Sequence, residues 1–149
     1  MSLGFELLPD YLTRDQLPTL SAKTARSIIK VLKQYMPEYN IEFKQPNDVL
    51  VEGKKISGIL LESPTPQYAI LGIGLNVNNR LDGIPDEFLD EISDRSITSM
   101  FELLGQETDI DQVINKLVLE LTPILSNARH LCTADENAVR ENLMPKIIH

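Results

Sequence analysis

The chain has 149 residues, 42% hydrophobic and 24% charged, an ordinary globular balance that suits one domain with a real core. Its net charge of −8 and pI near 4.7 weigh against a nucleic-acid binder, which needs clustered positive charge, so no DNA partner is expected. No apolar run approaches the roughly 20 residues that span a bilayer, and MSLGFELLPD lacks the basic and apolar regions of a secretory signal. The single cysteine, Cys132, excludes an internal disulfide framework and suits a cytoplasmic protein. With only two histidines beside it, a structural zinc site is a poor fit.

In chain order, residues 3–8 read as a short strand, and the Met-Ser-Leu start is given no functional weight. Residues 11–16 form a turn into a helix over 17–36. Its apolar positions Leu17, Leu20, Ile28, Val31, Leu32 and Tyr35 keep to one face. Pro18 fits the first turn and Pro37 stops the helix. Lys23, Arg26, Lys30 and Lys33 recur at helical spacing and read as a solvated face. Four strands follow, at 41–43, 48–52, 55–63 and 68–77, with Glu52-Gly53 as a tight hairpin turn and residues 64–67 as the next connection. Short links between consecutive strands predict an antiparallel meander rather than βαβ units.

Residues 85–92 read as a short helix or turn. A helix over 96–104 is expected to start at Ser96 or Thr98 and to stop at Gly105. Thr108 or Asp109 caps a longer helix through Ile110, Val113, Ile114, Leu117, Val118, Leu121, Ile124 and Leu125, in which Pro123 predicts a kink or break. Residues 134–144 form a weaker helix ending at Pro145. The order helix, sheet, helices makes an α+β domain, with a mixed or antiparallel sheet packed on helices.

Polar residues inside the apolar strands need an explanation, because burying them is costly unless they are paired or meet a ligand. Asn47 and Asp48, in PNDVLV, fit either a turn whose side chains cap local backbone or a ligand site where Asp48 orients a ribose, an amine or a magnesium-bound phosphate. Lys54 and Lys55 are consecutive at a strand start and must point to opposite sides, so one can be solvated while the other lies on a sheet face. Gly58 interrupts KISGILLE, as strand glycines do where a ligand or another backbone approaches closely. In GIGLNVN, Gly72 and Gly74 clear one strand face and Asn76 continues it with a donor and an acceptor. No GxGxxG is present and no helix follows directly, which excludes a dinucleotide fingerprint.

Taken together, PND, the seven-residue step from Asp48 to Lys55, SGILLE and GIGLNVN resemble the catalytic domain of biotin protein ligases, a family of class II aminoacyl-tRNA synthetase-like fold. The resemblance is specific over 44–79. It extends more weakly upstream through LPTLSAKTARSIIKVLKQY and downstream through SITSM and the helix from Asp109. It implies ATP-dependent activation of biotin to biotinyl-5′-AMP, with Mg2+ accompanying ATP, and transfer to a lysine of a biotin carboxyl carrier (biotin-acceptor) protein. It further implies that Lys55 is the catalytic lysine, contacting the biotin carboxylate and phosphoryl oxygens. Asn47, Asp48 and Asn76 would lie on the nucleotide side, and Gly58 would let biotin rest against its strand.

Some of the family's features are not in this sequence. The glycine- and arginine-rich adenylate loop of GRGRRG type, the small SH3-like domain and a winged-helix DNA-binding domain are all missing. Gln45 stands where a tryptophan usually precedes PND. Residues 1–149 are therefore expected to be the C-terminal portion of a biotin/lipoate ligase-like catalytic domain. As this chain the enzyme, a biotin–[acetyl-CoA-carboxylase] ligase by family, would be incomplete, and autonomous activity is not expected. The alternatives are a non-catalytic ligase-like binding or assembly protein and a lipoyl or octanoyl transferase relative. Sheet edges left open also predict self-association into a homo-oligomer.

Overall fold

The reversal between Val51 and Lys54 is set by two residues of positive φ, Glu52 at 50° and Gly53 at 76°. Positive φ at both central positions is the geometry that matches strand twist in a two-residue hairpin. Asn40 holds Glu52 there. The Glu52 N–H donates to the Asn40 carbonyl at 3.0 Å, and the Asn40 N–H donates to Glu52 Oε1 at 2.6 Å.

The computed structural model describes residues 2–7, 17–65, 68–81, 97–129 and 146–147. Its elements in chain order are β1 (Ser2–Leu7), α1 (Leu17–Tyr35), β2 (Ile41–Lys44), β3 (Asp48–Val51), β4 (Lys54–Thr65), β5 (Tyr68–Leu75), α2 (Met100–Leu104), α3 (Ile110–Arg129) and β6 (Lys146–Ile147). The strands form one sheet in the order β2-β3-β4-β5-β1-β6, and its paired neighbours are antiparallel. The expected meander is present. It is extended by β1, whose Ser2 and Gly4 lie opposite Gly74 and Gly72, so Ser2 and Leu3 belong to the sheet. The expected elements at 85–92 and 134–144 lie outside the described residues.

One sheet face and two helices make the core. Val49, Val51, Ile56, Ile59, Leu71, Ile73 and Leu75 are buried together with Leu20, Ile28, Val31, Leu32 and Met36 of α1 and Val113, Leu117 and Leu121 of α3. The basic positions of α1 are exposed, as their spacing predicts. Lys30 joins the helices through Glu120 Oε2 at 2.8 Å, and Lys33 donates to the carbonyls of Pro37 and Tyr39 just past the end of α1.

Two expectations about helix ends need correction. The N-cap of α2 is Ser99, whose Oγ accepts from the Glu102 N–H at 3.1 Å. Thr98 lies before the cap, its N–H donating to the Lys55 carbonyl at 2.8 Å, and Ser96 lies outside the described residues. Of the kink or break expected at Pro123, the break does not occur: α3 continues from Ile110 to Arg129 with the proline inside it. Leu119, whose carbonyl Pro123 leaves without its N–H partner, is 72% exposed, so water can satisfy that group. Asp109 caps α3, with Oδ1 accepting from the N–H groups of Asp111 and Gln112 at 3.0 and 3.2 Å.

Candidate active site

Strand alternation alone would put Lys55 on the same side as Ser57 and Ile59, the core face. The register of β3 against β4 shows why it is not there. Val49 pairs with Ser57 but Leu50 pairs with Lys55, so β4 carries one extra residue, a β-bulge at Ile56. Ile56 and Ser57 are both buried, and the alternation is reversed below them. Lys55 is thereby delivered to the opposite face, with Asp48 and Gly58. Lys54, its neighbour, is exposed.

On that face the Lys55 ammonium lies 2.6 Å from Asp48 Oδ1, and the two side chains are 27% and 18% exposed. Asp48 Oδ1 is buried and has no other hydrogen-bond partner among the described residues, so the ammonium is what balances its charge. Gly58 lies opposite Asp48 in the ladder. A Cβ there would stand 3.4 Å from both Lys55 Cε and Nζ and 3.8 Å from Asp48 Oδ1. The absence of a side chain at Gly58 thus leaves the strand's backbone open beside the ion pair.

The bare surface continues across the sheet. Gly58 pairs with Gly74 and Leu60 with Gly72, and the nearest atom to a Cβ at Gly74 would be the Gly58 carbonyl oxygen at 3.9 Å. Leu60 projects from the same face, 55% exposed, with its Cβ 3.5 Å from where a Gly72 Cβ would be. The result is a shelf of backbone with an apolar wall at Leu60 and a fixed cation at Lys55. Such a shelf can carry a flat apolar molecule with a carboxylate at the cation end. Leu60 was not singled out in the sequence. Its even spacing from Gly58 was the available signal.

The asparagines are placed differently. Asn47 has an exposed side chain, and its carbonyl accepts from the Ile59 N–H at 2.8 Å, extending the β3–β4 ladder into the turn. Asn76 follows β5 beside the same end of β4. Its backbone N–H donates to the Ile56 carbonyl at 2.9 Å and its Nδ2 to the Thr98 carbonyl at 3.1 Å. Asn78 was not singled out. Its side chain pairs with both backbone groups of Thr108, each at 2.9 Å. Among the described residues no three Asp, Glu, His or Cys side chains gather in a way that could hold a metal ion. The Asp48 carboxylate is turned to Lys55. The described donor set is therefore not a protein-held magnesium site.

Comparison with known proteins fits this geometry. The family model described as the lipoyl protein ligase A/B catalytic domain matches residues 12–122. The chain belongs to that family. The bifunctional ligase/repressor BirA of Bacillus subtilis is 32% identical over 117 residues, covering 76% of this chain and 34% of that protein. The biotin–[acetyl-CoA-carboxylase] ligase of Mycobacterium tuberculosis is 35% identical over 86 residues, covering 58% of this chain and 29% of that protein. Among solved structures, the biotin protein ligase from Aquifex aeolicus in complex with biotin and ATP superposes with a TM-score of 0.69 at 28% identity. It covers 87% of this chain and 51% of that one. The expected α+β fold and the resemblance to biotin protein ligases are both borne out. The chain spans about a third or less of those two curated relatives and about half of the solved ligase. No described helix is long and apolar enough to cross a membrane.

Proposed function

We propose that this chain carries the lysine-bearing part of a biotin protein ligase site. The reaction is ATP-dependent formation of biotinyl-5′-AMP and transfer of the biotinyl group to a lysine of a biotin-acceptor protein. The observation that carries the reading is the Lys55–Asp48 pair beside the bare Gly58 backbone. In the first step a biotin carboxylate oxygen attacks the α-phosphorus of ATP, and the bond to the departing pyrophosphate breaks. Two anions must meet for this. A fixed ammonium reduces their repulsion and stabilises the charge that develops on the phosphoryl oxygens. In the second step the acceptor amine attacks the acyl carbon and AMP leaves with the bonding pair.

In this reading Lys55 is the catalytic residue. Asp48 holds its ammonium in place, Gly58 and Gly74 let biotin lie on the sheet, and Asn47 and Asn76 belong to the nucleotide end. Magnesium enters with ATP, on phosphate oxygens, and no step is assigned to a protein-held ion. The setting is cytoplasmic and the partner is a biotin carboxyl carrier protein.

The test is calorimetric titration of the chain with biotinyl-5′-AMP, run beside Lys55→Ala. Binding that weakens at least tenfold in the variant supports the assignment. Binding that Lys55→Ala leaves intact, or no binding by the unaltered chain, refutes it. The matched family model favours a second reading, a lipoyl ligase relative. Titration with lipoyl-5′-AMP separates the two by which adenylate binds more tightly.

A further inference from the structure

Asn76 was expected to meet a ligand, yet the described hydrogen bonds of Asn76, and those of Asn78 beside it, run to the protein's own backbone. We infer that Asn76 is a positioning residue for Lys55, acting through the main chain of residues 97–98. The geometry is a short relay. Beyond Leu75, β5 no longer flanks β4, and the freed edge beside Lys55 is taken by Ile97 in a parallel bridge. The Thr98 N–H donates to the Lys55 carbonyl at 2.8 Å. The Thr98 carbonyl accepts from Asn76 Nδ2 at 3.1 Å, while the Asn76 N–H donates to the Ile56 carbonyl at 2.9 Å.

Asn76 thus ties together the bulge residue Ile56 and the segment that brackets Lys55. A bulge interrupts the regular ladder and would otherwise leave Lys55 held on one side only, by its pairing with Leu50. Clamped on both sides, the lysine backbone has little freedom, and its side chain is aimed along the face where Asp48 stands. Asn78 makes a similar clamp on Thr108, in which neither Lys55 nor residues 97–98 take part, and serves as the control.

The inference uses the ligase reading only for what Lys55 does, so its test needs no ligand. The intact chain is acetylated briefly with an N-hydroxysuccinimide ester, and Lys55 modification is measured by mass spectrometry against exposed Lys54. In the unaltered chain Lys55 reacts more slowly than Lys54. Asn76→Asp replaces the donor by an acceptor facing the Thr98 carbonyl and raises the Lys55:Lys54 ratio at least threefold. Asn78→Ala leaves the ratio within a factor of 1.5. An unchanged ratio in Asn76→Asp overturns the inference, and so does an equal rise in both variants. A loss of biotinyl-adenylate affinity in Asn76→Asp with an unchanged ratio shows a direct ligand contact instead. Should Asn76→Asp not fold, amide exchange in the unaltered chain decides. Protection of the Thr98 N–H comparable to that of Ile59 supports the clamp, and exchange at the free-peptide rate refutes it.

Discussion

Replacing Gly74 by alanine separates what the bare strand does for the fold from what it does for a ligand. The new Cβ would meet nothing closer than the Gly58 carbonyl oxygen at 3.9 Å, an ordinary contact, and Gly74 does not sit at positive φ. Alanine in a strand is favoured over glycine by about 0.5–1 kcal/mol because less backbone freedom is lost on folding. Stability should therefore hold or rise, by about 2–4 °C in melting temperature per kcal/mol for a chain of this length. A ligand lying on the shelf would meet the methyl group directly. Overpacking by one methyl costs about 1–3 kcal/mol, which at 1.4 kcal/mol per decade is roughly a 5- to 150-fold loss of affinity. Gly58→Ala adds a second effect. Its methyl stands 3.4 Å from the Lys55 terminus, which must shift by a few tenths of an ångström, so the loss should exceed that of Gly74→Ala. Calorimetric titration with biotinyl-adenylate and a thermal melt read both quantities on one sample. Unchanged affinity in Gly74→Ala would show that the ligand does not rest on β5 there. A melting temperature lowered by several degrees would show that the glycine serves the sheet instead.

Other substitutions test single links. Asp48→Asn removes the counter-charge of a partly buried ammonium; the cost lies between that of exposed and buried pairs, about 1–2 kcal/mol in denaturant unfolding, and raising salt should shrink it. Gly53→Ala forces a Cβ into the left-handed region where no neighbour stands within 4 Å, so the loss, about 1 kcal/mol by urea titration, comes from the backbone alone. Ser99→Ala removes the cap of α2 and its hydroxyl's 2.7 Å hydrogen bond to the Asn79 carbonyl; about 1–2 kcal/mol should be lost in the same assay, whereas Ser99→Thr, which keeps a hydroxyl, should retain most of it.

How much of this was legible in the residues differs from element to element. The hairpin at Glu52-Gly53, the meander and the basic outer face of α1 follow from alternation, turn chemistry and helical spacing, which are local rules. The cap of α2 was misplaced by one residue because Ser96, Thr98 and Ser99 are all good caps. Thr98 was taken out of that choice by a contact with Lys55, 43 positions away in the chain, which no local rule can see. Pro123 failed as a breaker because its cost depends on whether the freed carbonyl meets water, and water access is a tertiary property.

The bulge at Ile56 is the deepest case. KKISG reads as unbroken alternation, and on that reading Lys55 shares a face with Ile59 and Leu61, both packed toward the core. Only the pairing with β3 reveals the extra residue that moves the lysine to Asp48 and Gly58. The motif therefore names the right residues while concealing how they meet. An uninterrupted strand with these same side chains would put Lys55 opposite Val51, on the other side of the sheet from Asp48 and Gly58, and the ion pair could not form. The site depends on one irregular residue, and the polar groups that look functional in NVNN are in part what holds that irregularity still.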